Sequence, residues 1–70
     1  IKLVGLVIDR DEERKWSFRS KGNFDCNTFA RTYFDGGGHF NASGGSDKEN
    51  MQRTVQKFKE AINENKLLLQ

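Results

Sequence analysis

Residues 1–19, IKLVGLVIDRDEERKWSFR, decide the fold. From Ile1 to Asp9 the chain is aliphatic with little polar interruption, the composition of a strand covered on both faces. The charged run Asp9–Arg14 reads as a polar turn. Trp16 and Phe18 then alternate with Lys15, Ser17 and Arg19, which predicts a second strand hairpinned to the first. Successive side chains of a strand point to opposite sides of the sheet, so Trp16, Phe18 and Ser20 share the packed face while Ser17 and Arg19 look outward.

Working outward from this hairpin, Lys21, Gly22 and Asn23 break the second strand. Cys26, Phe29, Ala30, Tyr33 and Phe34 follow at the spacing of one helical stripe, with Asp25 as the expected N-cap. Asp35 and Gly36 end that helix, the glycine being suited to a left-handed residue just past a helix end. A ten-residue loop is expected from Gly36 to Gly45. Ser46 with Glu49 three residues later matches a capping box, and Met51, Val55, Phe58 and Ile62 give a second helix one apolar face. Leu67 to Leu69 either finish its packing or cover a neighbour. The expected fold class is α/β: a small mixed sheet with the hairpin at its N-terminal end, and two helices joined by a glycine-rich loop.

Seventy residues bound this to one domain, residues 1–70, with a thin core. The chain enters a strand at Ile1 without an initiator methionine, which reads as a domain excised from a larger two-domain enzyme. No apolar run approaches the roughly 18 residues of a membrane span, and no signal segment opens the chain, so membrane and secretory classes are set aside. A single cysteine, Cys26, closes no internal disulfide and favours a reducing, cytoplasmic setting. One cysteine and one histidine do not supply a four-ligand zinc site, and no metal is expected to bind here. The net charge of +2 is too small for bulk nucleic-acid binding, although Arg14, Lys15, Arg19 and Lys21 form a local basic stretch.

Five of the seven glycines lie within Gly36–Gly45, around His39 and Asn41. Glycine lets a ligand approach the main chain, so such a loop can point several N–H groups at one anion, and a helix starting at Ser46 would add its own. His39 is the side chain in the first part of that loop that can both donate and accept a hydrogen bond. The same composition serves a plain surface turn, and the residues alone leave both readings open. Neither GxGxxG after the first strand nor GxxxxGK[ST] is present, which sets aside the common nucleotide folds. Asn41-Ala42-Ser43 fits a glycosylation sequon by chance. Arg19 reads as a solvated charge or, with Ser17, Ser20 and the glycine loop, as part of a phosphate-gripping set. Trp16, Phe18, Phe29, Tyr33 and Phe34 sit at core periodicity. Phe40 has no periodic partner and is free either to stack on a base or to fold onto the core. Cys26 reads as a small apolar filler.

Ser17-Phe18-Arg19-Ser20-Lys21-Gly22, a helix opening Asp25-Cys26-Asn27, and Gly36-Gly37-Gly38-His39 followed by Asn41-Ala42 and Gly44 together resemble the DHH-associated C-terminal domain of DHH-family phosphoesterases, nearest the nanoRNase and 3′-phosphoadenosine 5′-phosphate phosphatase branch. Phe40 stands where that family more often carries a polar or charged residue. The resemblance implies an N-terminal DHH catalytic domain, absent from this chain, that holds manganese and cleaves phosphate esters, while this half grips the substrate. It implies that Ser17, Arg19 and Ser20 contact substrate phosphate or sugar, that Gly36, Gly37 and Gly38 supply backbone donors, that His39 meets the nucleotide near the scissile bond, and that Asn41 belongs to the same substrate-binding set. None of these residues is expected to be catalytic without the other domain, and no cofactor is expected on this half. The expected partners are a short oligonucleotide or nucleoside phosphate and the DHH domain, with no membrane; the oligomeric state is not legible. Related alternatives are a cyclic-dinucleotide phosphodiesterase, a single-strand DNA exonuclease, or the tRNA-binding appendage of alanyl-tRNA synthetase, the last of which asks for a broader basic surface.

Overall fold

The computed structural model describes residues 2–69. Four strands and two helices follow in the order β1 (Lys2–Asp9), β2 (Arg14–Lys21), α1 (Cys26–Tyr33), β3 (Gly37–His39), β4 (Ala42–Asp47) and α2 (Met51–Glu64), with a closing 3₁₀ turn over Lys66–Leu69. The sheet order is β1-β2-β4-β3. The α/β class, the N-terminal hairpin and the two helices are as expected. Every pairing is antiparallel, however, so the sheet is not mixed. The reason is topological. The β2-α1-β3 crossover makes β2 and β3 parallel, but β4 returns between them and pairs antiparallel with both.

Both helices lie on one face of the sheet, and this overturns the expectation of a first strand covered on both sides. β1 is an edge strand whose odd residues turn inward, while Val4 and Leu6 are 61% exposed and Ile8 48%. An aliphatic residue on both sides of the pleat looks the same in sequence whether one face is covered or two. The expected start of this strand at Ile1 lies outside the described residues.

Under the helices the core is aromatic. Phe18, with no exposed surface, stacks on Trp16 and Phe58 with ring centroids 5.4 and 5.9 Å away and meets Phe29 edge-on. Phe24, Phe34, Cys26, Ala30 and Ala61 complete the cluster. The indole N–H of Trp16 donates to Thr54 Oγ1 (2.9 Å), whose hydroxyl donates to Asp47 Oδ2 (2.8 Å), and Lys57 donates to the same oxygen (3.2 Å). This chain ties α2 to β2 and β4 through buried polar atoms that all have partners. Burial raises the affinity of Asp47 for a proton, but the hydrogen bonds from Thr54, the Glu49 N–H and Lys57 outweigh it, holding this carboxyl below its usual range.

Asp25 caps α1 as expected, accepting from the N–H and hydroxyl of Thr28, which lowers its proton affinity. The other ends differ. α1 closes through Phe34 in an extended conformation, its N–H bonded to the Ala30 carbonyl, not through a left-handed Gly36. Ser46 does not cap α2, because pairing with Lys15 holds it in β4; Asn50 takes that role, accepting from the Arg53 N–H at 2.9 Å. Thr54 and Ala61 are the fully buried positions of α2, a phase slightly turned from the expected Met51–Ile62 stripe. Leu67 and Leu68 stay 82% and 62% exposed while Leu69 packs on the core. No described helix is long and apolar enough to cross a membrane.

Candidate functional site

The segment expected to be a loop is a hairpin: β3 and β4 are joined by Phe40 and Asn41, with His39 opposite Ala42. Ala42 in turn stands opposite Arg19, and Arg19 opposite Val4. Directly paired residues project to the same side of a sheet, so Arg19 and His39 rise from one row on the helix-free face, two strand spacings or about 10 Å apart. In the adjoining row Ser17 faces Gly44, and Gly44 faces Gly37, so beyond Ser17 this row carries no side chain. The result is a glycine-floored strip beside the row that carries an arginine and a histidine, both exposed.

The glycines seat the hairpin. A Cβ at Gly36 would run into the Gly44 carbonyl oxygen and come within 2.5 Å of Gly45 Cα, so only glycine lets the chain enter β3 this close to β4. Gly37 and Gly38 adopt φ of 156° and 154°, which side-chain-bearing residues rarely hold. The N–H of Gly38 is already used, donating to Asn27 Oδ1 at 2.8 Å. Because α2 begins only at Met51, its N-terminal N–H groups do not join the glycine segment, contrary to the expectation built on Ser46.

The remaining expected residues separate into two groups. Arg19 spends one of its donors on the Phe18 carbonyl (3.0 Å) and keeps most of its guanidinium fork for solvent or ligand. Ser20 and Asn41 are engaged with each other: Asn41 Nδ2 donates to Ser20 Oγ (2.9 Å), and Ser20 Oγ lies 2.7 Å from the Phe24 carbonyl and 3.3 Å from that of Phe40, with its hydroxyl proton directed to them. The Ser20 N–H also bonds the Asn41 carbonyl at 3.0 Å. These two side chains fix the β3–β4 turn against the end of β2. Sequence reading missed Asn27, which latches Gly38, and Ser43, buried and donating to the Cys26 carbonyl at 2.7 Å. No spacing signals either, since both act on parts of the chain that only the topology brings near. Phe40 does not fold back: it is 47% exposed, outside the aromatic cluster. Cys26 is buried as expected, its Sγ 3.8 and 3.7 Å from the Phe18 and His39 carbonyls.

The electrostatics favour an anion. By alternation Lys2, Lys15, Arg19 and Lys21 share this face, whereas the strand carboxylates Asp9 and Asp47 fall on the helix side, paired with Arg14 and Lys57. The acids of the hairpin turn, Asp11, Glu12 and Glu13, line a concavity of about 820 Å³ at the far end of the sheet together with Asp9, Arg10, Lys15 and Lys48, where charges of both signs are mixed. Among the described residues no group of three His, Cys, Asp or Glu side chains converges to hold a metal ion. What the arrangement can do is bind and orient an anionic ligand.

Comparison with known proteins identifies the family and the fold. The family model described as the DHHA1 domain matches residues 1–64. The chain superposes with a TM-score of 0.89 and 39% identity on the crystal structure of an exopolyphosphatase-related protein from Bacteroides fragilis. The match covers 94% of this chain and 19% of that one, so the chain spans about a fifth of that protein's length. No match was found among the curated proteins.

Proposed function

The chain belongs to the DHHA1 domain family, the DHH-associated domain, and from that premise we propose that its open sheet face is the substrate-gripping half of a phosphoesterase that hydrolyses short oligonucleotides or nucleoside phosphates such as 3′-phosphoadenosine 5′-phosphate. The observation that carries the reading is the single row of Arg19, Ala42 and His39 across three strands beside a strip free of side chains beyond Ser17. A guanidinium fork suits phosphate oxygens, and a flat glycine floor lets the backbone of a ligand lie close to the sheet. His39 then meets the ligand at the outer strand and can donate to a phosphate or ribose oxygen. The hydrolytic step belongs to a partner DHH domain, which supplies the manganese and the attacking water. This half raises the local concentration of the correctly placed ester.

In the full-length enzyme, Arg19→Ala is expected to raise KM about 10- to 100-fold with a smaller change in kcat, because a charge-assisted contact made equally in ground and transition states is lost. His39→Ala is expected to lower kcat as well. An unchanged KM in Arg19→Ala would contradict the reading, and a pure KM effect in His39→Ala would confine that residue to binding.

A further inference from the structure

Seven of the eight aromatic side chains, Trp16, Phe18, Phe24, Phe29, Tyr33, Phe34 and Phe58, each pair with another ring inside the fold. Among the described residues Phe40 pairs with none. A single exposed apolar residue is ordinary on a protein surface, so its exposure alone decides nothing. Its position does. Phe40 is the first residue of a two-residue connection, where glycine, asparagine and aspartate are the usual occupants and a phenyl ring contributes nothing to the turn. The backbone beneath it is held unusually well: the Phe40 carbonyl accepts from the Cys26 N–H (2.8 Å) and faces Ser20 Oγ (3.3 Å), and the next carbonyl, of Asn41, accepts from the Ser20 N–H (3.0 Å). Asn41 Nδ2 locks the same corner through Ser20 Oγ at 2.9 Å. A rigid mount under an uncommitted ring, one residue beyond His39 where the row that reaches Arg19 ends, lets an aromatic face bind without a large ordering cost.

We infer that Phe40 is the base-stacking residue of this site, so that the site selects ligands carrying a nucleobase over bare phosphate chains. The inference rests on the proposed phosphate-binding role of the Arg19–His39 row and adds to it what distinguishes one phosphate-bearing ligand from another. Stacking is tolerant of base identity, since every base offers a π-face, so the selection is for the presence of a base and not for its sequence. Because the ring makes no ring pair and lies outside the core, its replacement leaves the fold in place.

The test is equilibrium binding of the full-length protein to two probes, the dinucleotide pApA and inorganic tripolyphosphate, for the unaltered protein, Phe40→Ala, Phe40→Trp and Arg19→Ala. Phe40→Ala is expected to weaken pApA roughly 5- to 150-fold, the range seen for losing one stacked base, while tripolyphosphate binding stays within about twofold. Phe40→Trp is expected to retain pApA binding and to show fluorescence quenching by pApA but not by tripolyphosphate. Arg19→Ala is expected to weaken both probes. If Arg19→Ala weakens both and Phe40→Ala changes neither, the stacking role is wrong and the phosphate site stands. If Phe40→Ala weakens both probes equally, the ring serves the turn and not a base, which also overturns the inference. If the unaltered protein binds neither probe, the phosphate site and the stacking role fall together.

Discussion

The two faces of the sheet differ in what their side chains spend themselves on. On the helix side, polar groups such as Trp16 Nε1, Thr54 and Asp47 are bonded to one another and the rings of Phe18, Phe34 and Phe58 fill the space between strands and helices. On the open side, Arg19 has most of its donors unspent, His39 is exposed, and glycines replace side chains. One strand, β2, builds both: Trp16 and Phe18 on one side, Ser17 and Arg19 on the other. The difference teaches that stability and the proposed recognition are separable here residue by residue, through the pleat alone.

That separation can be broken from the helix side with the largest effect. Phe18→Ala removes a fully buried ring touching four other rings, a loss of about 3–5 kcal/mol, which is comparable to all that the core of so small a domain supplies. The variant is expected to be largely unfolded by circular dichroism and by collapse of its amide spectrum.

A smaller effect comes from the polar chain. Thr54→Val strands the Trp16 N–H without an acceptor and takes a hydrogen bond from Asp47, at an expected cost of about 1–3 kcal/mol in urea unfolding. Asp47 has its folded proton affinity lowered, so its contribution is fully present above its unfolded value of about 3.8 and is lost as pH falls through the lower folded value. Stability of the unaltered protein should therefore hold at neutral pH and fall below about pH 4. Asp47→Asn should flatten that acid limb in part, leaving the share due to Asp25, which is shifted in the same direction.

The smallest effect sharpens the comparison from the other side. Leu6→Thr, on the open face of an edge strand, is expected to change stability by less than about 0.5 kcal/mol, measured as a shift in urea midpoint. A loss comparable to that of Thr54→Val would mean that the face is covered.

How much of this was legible in sequence follows the same division. The period-2 alternation of Trp16 and Phe18 with Ser17 and Arg19 assigned β2 and both its faces, and the Cys26–Phe34 spacing with Asp25 assigned α1, because each signal is local. The β3–β4 hairpin was not legible. Gly-Gly-His and Ala-Ser-Gly-Gly-Ser-Asp lack the β-branched and aromatic residues that mark strands, and their pairing is set by the close approach of backbones that only small residues permit. The α2 cap was misplaced for a related reason: Ser46 and Asn50 are both capable caps, and the ladder with β2 takes Ser46 out of contention. The candidate residues Arg19 and His39 were singled out by residue type and resemblance, but their common row was not legible, since it depends on β4 lying between them. Ser20 and Asn41 have the same donors as a ligand-gripping pair, and only the turn geometry shows those donors engaged with each other.

The central claim is that one face of the sheet binds a nucleotide and the other only holds the fold. It is tested most directly by titrating the ¹⁵N-labelled protein with a dinucleotide and following every backbone amide. The expected result is movement confined to Arg19, the Gly37–Ala42 hairpin and their neighbours, with the amides of Met51–Glu64 unmoved. A folded protein in which nothing moves at millimolar ligand, or in which the shifts gather on α2 or on the acidic turn at Asp11–Glu13, would contradict it.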